Sequence, residues 1–253
     1  MSNADRLRQT GEAVRAAGSL TVAELAALTG ASEMTVRRDL DALAAQGVLE
    51  RVRGGARSLV LRGEEPPFAL RAQDGAEAKR RVAAAVVELI GDGETVVLDS
   101  GTTCLEVARL LRGRRVTVMP LSLQAVAVLA EGAGQTALLV PGGRPRPGEG
   151  ALTGPLTLAS LAAVRFDTAV IGCCGLDAAQ GLTAYDLDDA AVKQAALRSS
   201  RRVLAATDSA KLTHTAHAFV APVTALHTLV TDRSAPREAI DAIGAAGVTV
   251  RTV

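Results

Sequence analysis

Along the N-terminal part of the chain the apolar positions recur first with helical spacing and then with strand-like alternation. From Asp5 to Ala17, Leu7, Val14 and Ala17 are separated by polar residues rich in arginine, which predicts a short amphipathic helix stopped by Gly18. Thr21-Val22-Ala23-Glu24 has the form of a capping box, in which the threonine hydroxyl accepts from a free backbone N–H and Glu24 reaches back to the cap. Leu25 and Leu28 continue this second helix, and Gly30 supplies the left-handed conformation that ends it. Ser32 then caps a third helix running to about Gln46. In it Val36, Leu40 and Leu43 share one face, while Met34, Thr35, Arg37, Arg38 and Asp41 point outward. Val48 to Val52 alternates as a strand, and Arg53-Gly54-Gly55-Ala56 reads as the turn of a β-wing. Two capped helices joined by a tight turn and followed by a wing predict a winged helix-turn-helix over residues 1–58.

The pattern then breaks at Arg62-Gly63-Glu64-Glu65-Pro66-Pro67, where the prolines forbid a continued helix or a central strand, so residues 59–75 are expected to be a linker. From 76 to 253 helical and β-rich runs alternate. Helices are expected at Ala76–Ile90, Thr102–Leu111 and Leu121–Ala130, and strands at Thr95–Asp99, Val116–Met119 and Ala137–Pro141. Further apolar strands are expected at Thr168–Cys173, Val203–Thr207, Leu226–Thr231 and Val248–Val250. This alternation predicts an α/β domain on a mostly parallel, Rossmann-like sheet whose strands are buried on both faces.

Composition narrows the class. Hydrophobic residues make up 48% and charged residues 22%, enough apolar material for a core and too much for a disordered chain. No run approaches the roughly 20 apolar residues a membrane-spanning helix needs, and Ser2-Asn3-Ala4-Asp5-Arg6 lacks the form of a signal peptide, so a cytoplasmic location without a membrane partner is expected. Cys104, Cys173 and Cys174 form no C-x-x-C pair, so they read as small buried hydrophobes; no metal site and no cofactor are expected. The net charge is only +1, so a nucleic-acid partner must be argued from local charge.

Local charge is where the third helix matters. Such a helix laid in the major groove offers Arg37 and Arg38 to guanine edges or phosphates, and Ser32, Met34 and Thr35 sit at its N-terminal end, where its dipole favours anions. Arg51, Arg53 and Arg57 add positive charge along the wing. The plainer alternative is that Arg37 and Arg38 pair with Glu33 and Asp41 on an ordinary solvated helix. The run Ser32-Glu33-Met34-Thr35-Val36-Arg37-Arg38-Asp39-Leu40 followed by Gly54-Gly55-Ala56 resembles the DNA-binding signature of DeoR-family repressors, with Arg53 where that family often has histidine. The resemblance implies repression of sugar or sugar-phosphate catabolism, relieved when a phosphorylated metabolite binds a C-terminal domain related in fold to ribose-5-phosphate isomerases.

The second region is Asp99-Ser100-Gly101-Thr102-Thr103, at a strand's carboxyl end and a helix start, where open α/β sheets bind ligands. Gly101 allows close approach and the hydroxyls and helix N-terminus suit phosphate, while Asp99 would contact sugar hydroxyls or fix the loop. The string matches the family's D-S-G-T-T motif. Gly142-Gly143-Arg144 and Gly172-Cys173-Cys174-Gly175 fall at the same sheet edge, with Arg144 able to clamp a phosphate and Gly143, Gly172 and Gly175 leaving room for a ligand or simply making tight turns. Downstream, Asp189 with Lys193, and Lys211 within Asp208-Ser209-Ala210-Lys211, resemble the family's lysine-bearing segments; read plainly, Asp189 and Lys193 are an i, i+4 helix pair.

Two other functions compete. An acid such as Asp189 beside Lys193 would suit a sugar-phosphate isomerase, although a fused DNA-binding domain does not, and no catalytic residue is assigned. A purely architectural DNA binder would leave the glycine-rich strand ends without a purpose. Since one small domain reads a single half-site, a homodimer or homotetramer on double-stranded operator DNA is expected.

Overall fold

In a computed structural model that describes residues 3–45, 48–58, 65–131, 134–212 and 214–253, the chain divides into two compact units meeting between Asp74 and Gly75.

The first unit opens with helix α1 (Asn3–Ala17), strand β1 (Ser19–Thr21), α2 (Val22–Thr29) and α3 (Glu33–Ala45), and continues with β2 (Leu49–Val52) and β3 (Gly55–Ser58). The capping box at Thr21 and Glu24 is complete, and Gly30 ends α2 in the left-handed region at φ 67°. The expected end of α3 at Gln46 lies outside the described residues. Val14, Val22, Leu25, Val36, Leu40, Leu43, Leu49 and Ala56 form one apolar cluster, so the i, i+4, i+7 stripe of α3 faces inward. β2 and β3 pair antiparallel as the wing. β1, which alternation over so few residues does not announce, pairs with the other edge of β3. Each wing glycine has its own reason: Gly54 turns at φ +80°, and a Cβ on Gly55 would lie 2.2 Å from the Leu20 carbonyl oxygen of β1. Within the expected linker, positions 59–64 lie outside the described residues. Phe68–Gln73 forms a short helix, α4, because Pro67 sits at its cap, where the ring's fixed φ and missing N–H cost nothing.

The second unit runs α5 (Ala76–Glu88), β4 (Thr95–Leu98), α6 (Thr102–Leu111), β5 (Thr117–Pro120), α7 (Leu123–Ala130), β6 (Ala137–Leu138), the hairpin strands β7 (Arg144–Pro145) and β8 (Leu152–Thr153), α8 (Pro155–Ala163) and β9 (Phe166–Gly172). It continues through β10 (Gly175–Asp177), β11 (Gly181–Ala184), α9 (Leu187–Arg198), β12 (Ser200–Ala206), β13 (Ala218–Ala221), β14 (Thr228–Thr231), α10 (Arg237–Ala245) and β15 (Thr249–Thr252). Among the described residues seven strands form one parallel sheet in the order β15-β14-β12-β9-β4-β5-β6. Its alternate residues divide between two cores. Val96, Leu98, Val170 and Leu204 pack under α5, α6 and α7, while Val97, Ala169, Ile171 and Ala205 pack against α8, α9 and α10. β10, β11 and β13 make a separate small antiparallel sheet, and the strand expected to reach Pro141 ends at Leu138.

The chain leaves β4 toward β5 and β6, whereas β9 leads away toward β12, β14 and β15. β4 and β9 are neighbours, so the sheet changes direction between them, and the carboxyl ends of such a pair are where open α/β sheets place their ligand crevice.

Candidate functional sites

At the start of α3 the Ser32 hydroxyl accepts from the Thr35 N–H at 3.2 Å and lies 2.9 Å from the Thr35 hydroxyl. Met34, Arg37 and Arg38 are exposed beyond this cap. Arg37 spans one turn to Glu33 at 2.8 Å, Arg51 meets Asp41 at 3.1 Å, and Arg57 meets Glu50 at 2.6 Å. Arg38 and Arg53 make no ion pair among the described residues and stand exposed, one on the helix and one on the wing. The plain pairing therefore holds for Arg37 and leaves Arg38 available to a phosphate or a base edge. Sequence reading missed Asp39. It is buried on α3 and accepts two hydrogen bonds from Arg6 of α1, from Nε at 2.6 Å and from Nη2 at 3.0 Å, which fixes the helix that would enter a groove. The Asp39 hydrogen bonds raise the Arg6 guanidinium above its ordinary range.

In the second unit the crevice is organised around Asp99, fully buried at the end of β4. Its Oδ1 accepts from the Ser100 N–H at 2.8 Å and its Oδ2 from the Gly172 N–H at 2.9 Å, so the carboxylate ties the two strands across the change of direction. Lys193 Nζ of α9 also bonds Oδ2 and lies 3.5 Å from Asp189. Asp189, Lys193 and Asp99 form one buried cluster. Burial alone would lower the lysine, but Asp189 and Asp99 outweigh it and hold Lys193 well above the ordinary lysine range. Of the two roles expected for Asp99, the geometry supports fixing the loop.

Around this cluster Ser100 and Gly101 are half-buried, Gly101 at φ +101° starts α6, and Thr102 and Thr103 are buried in its first turn. Among the described residues no side chain caps that helix start. Opposite, Asp186 caps α9 by accepting from the Asp189 N–H at 2.8 Å. Arg144, four-fifths exposed, lies 3.9 Å from Asp188, and Arg146, which no sequence motif singles out, lies 4.0 Å from Asp186 and is mostly covered. Lys211 sits on the turn that follows β12, where Asp232 accepts from the Ser209 N–H at 2.7 Å. Burial works against the Asp232 carboxylate, but the bonds from Ser209 and Ser234 hold it below the usual range.

The glycines divide by role. A Cβ on Gly172 would meet the Ser100 carbonyl oxygen at 3.1 Å, within the crevice itself. On Gly143 it would lie 2.0 Å from Thr157 Oγ1, and on Gly175 2.3 Å from the His214 carbonyl oxygen, so packing of the protein against itself explains both without a ligand. Burial drives the Cys104 thiol well up and pushes Cys173 up to about 12, which leaves both as inert thiols at neutral pH.

A winged helix-turn-helix joined to an α/β domain with a polar crevice defines a transcription regulator with a sensor. Residues 6–60 match the DeoR-like helix-turn-helix domain and residues 74–233 the DeoR C terminal sensor domain; the chain belongs to the DeoR family. It is similar to the transcriptional repressor AccR of Agrobacterium fabrum (32% identical, covering 96% of this chain and 94% of the relative) and to the HTH-type transcriptional regulator GlpR of Haloferax volcanii (29%, 99% and 98%). The glycerol-3-phosphate regulon repressor of Escherichia coli is 28% identical over 89% of each chain. Among solved structures, ribose 5-phosphate isomerase A from Methanocaldococcus jannaschii aligns over 55% of each chain with a TM-score of 0.41 and 17% identity, a likeness too distant to bear on activity. Among the described residues no helix is long and apolar enough to cross a membrane.

Proposed function

We propose that this protein represses an operon of sugar or sugar-phosphate catabolism and is gated by a phosphorylated small molecule bound in the crevice of its second unit. The observation that carries the reading is the uncapped start of α6 at the change of sheet direction, set by the buried Asp99–Lys193–Asp189 cluster. A helix start with positive potential recognises phosphate, and the candidate cations are Arg144 and Arg146, beside Asp188 and Asp186 at the start of α9, and Lys211 on the turn after β12. Names of relatives such as the glycerol-3-phosphate regulon repressor support a phosphorylated effector. On DNA, Arg38 and Arg53 contact phosphates or bases, with Arg37, Arg51, Ser32, Met34 and Thr35 completing the surface, and two or four copies assemble on a symmetric operator in the cytoplasm.

Catalysis is the weaker reading. The acid that reading needs, Asp189, is buried and lies 3.5 Å from Lys193, which two carboxylates hold protonated and which is itself covered. An effector that binds the DNA-free form more tightly by some factor lowers DNA affinity by the same factor.

Electrophoretic mobility shift on DNA upstream of the protein's own gene and its neighbours, with a panel of sugar phosphates, tests this. A shift lost in Arg37→Ala,Arg38→Ala and relieved by one sugar phosphate supports the reading. Failure to retain any DNA at low salt, where phosphate contacts are strongest, overturns it.

A further inference from the structure

We infer that Tyr185 and His214 form a latch that positions the Lys211 turn at the crevice, an inference that rests on the effector reading above. Tyr185 follows β11 and immediately precedes Asp186, the cap of the helix that carries Asp189 and Lys193. His214 lies three residues beyond Lys211, in the segment that returns from the carboxyl end of β12 toward β13. The phenol oxygen and His214 Nε2 are 2.5 Å apart, with ring centroids 5.7 Å apart and planes tilted by 44°. The latch thus joins the segment bearing one crevice cation to the residue next to the cap of the helix bearing another.

Residues on either side of Lys211 and His214 are held as well. Asp232 anchors Ser209 before Lys211, and the Thr183 hydroxyl accepts from the Ala216 N–H at 2.9 Å after it. Leu212 is buried beneath the turn, and the His214 carbonyl packs so closely on Gly175 that no Cβ fits between them. The tyrosine therefore acts on Lys211 through His214 and need touch no ligand; it is a positioning residue. The aromatic–imidazole pair is also solvent-accessible, so losing one hydroxyl loosens the turn without opening a cavity.

Two readouts test the latch on the full chain, one with ligand and one without. Calorimetric titration with inorganic phosphate should show Y185F and H214A each weakening binding about five- to tenfold, the effect expected for one lost hydrogen bond. In a K211A background Y185F should make no further difference. Limited trypsin digestion without phosphate should cleave after Lys211 several times faster in Y185F and H214A than in the parent chain. Y185F that binds phosphate like the parent, or that weakens binding equally with and without Lys211, overturns the latch, as does unchanged cleavage after Lys211. If the parent chain binds no phosphate while cleavage still accelerates in Y185F, the effector reading fails and the hold on the turn stands. If the parent chain binds phosphate and Y185F binds it equally well, the latch fails and the effector reading stands.

Discussion

Replacing Lys193 by methionine preserves the length and most of the volume of the side chain while removing the charge between two buried carboxylates. Asp99 is fully buried and Asp189 nearly so, and each loses its cationic partner at once. Breaking a buried pair by deleting one member costs about 3–5 kcal/mol, because the desolvated charge left behind has no counter-ion. In a unit of this size that lowers the midpoint of thermal unfolding by about 6–20 °C. In the parent chain Lys193 is raised above its unfolded value, so its contribution is complete below the ordinary lysine range and is lost only as pH rises beyond it. Between pH 6 and 9 that contribution is accordingly flat. In K193M the deficit should narrow on acidification, since each proton taken up by Asp99 or Asp189 removes a buried negative charge that has lost Lys193. Differential scanning calorimetry at pH 5 and pH 8 measures both effects. A loss below about 1 kcal/mol, or a deficit that widens on acidification, would show that the cluster is hydrated and refute the account of the crevice.

Further outcomes follow from the same geometry. Arg38→Ala should reduce the slope of log affinity against log salt by about one unit if the guanidinium contacts a phosphate, whereas an unchanged slope with relaxed base preference would assign it to a base edge; both are read by fluorescence anisotropy across a salt series. Gly55→Ala forces a methyl group onto the Leu20 carbonyl and should destabilise the first unit by about 1–3 kcal/mol, visible as an earlier unfolding transition and lost DNA retention. With the Cys104 and Cys173 thiols both raised, a thiol reagent at pH 8 should label the folded chain far more slowly than the urea-unfolded chain, which offers three thiols; rapid labelling of Cys104 in the folded state would contradict its burial.

Local signals made most of the architecture legible. Caps, terminal glycines and the period of the apolar positions carry the helices of the first unit, and runs such as Thr168 to Cys173 carry the parallel strands, because each is encoded within a few consecutive residues. The antiparallel strands β10, β11 and β13 are three or four residues long and rich in small side chains, so periodicity has too little length to register them. The crevice was legible as motifs but not as a network. Asp99 and Lys193 are 94 residues apart, and Arg6 and Asp39 are 33 apart; such partners become visible only when packing brings the elements together. Glycine is ambiguous for a related reason. Gly143 and Gly175 stand at strand ends like ligand-admitting glycines, yet their missing side chains accommodate Thr157 and the His214 carbonyl.

The distance along the chain between Asp99 and Lys193 has a consequence during synthesis. A ribosome adding about 5–20 residues per second needs about 5–20 s to make the residues between them. Throughout that interval the aspartate has emerged and its counter-ion has not. Until then only the Ser100 and Gly172 N–H groups serve Asp99, and the cost of burying a carboxylate without its lysine favours a hydrated carboxyl end of β4. Closure of this strand end is thereby expected to wait for α9, and a chain truncated before that helix should leave it open to water.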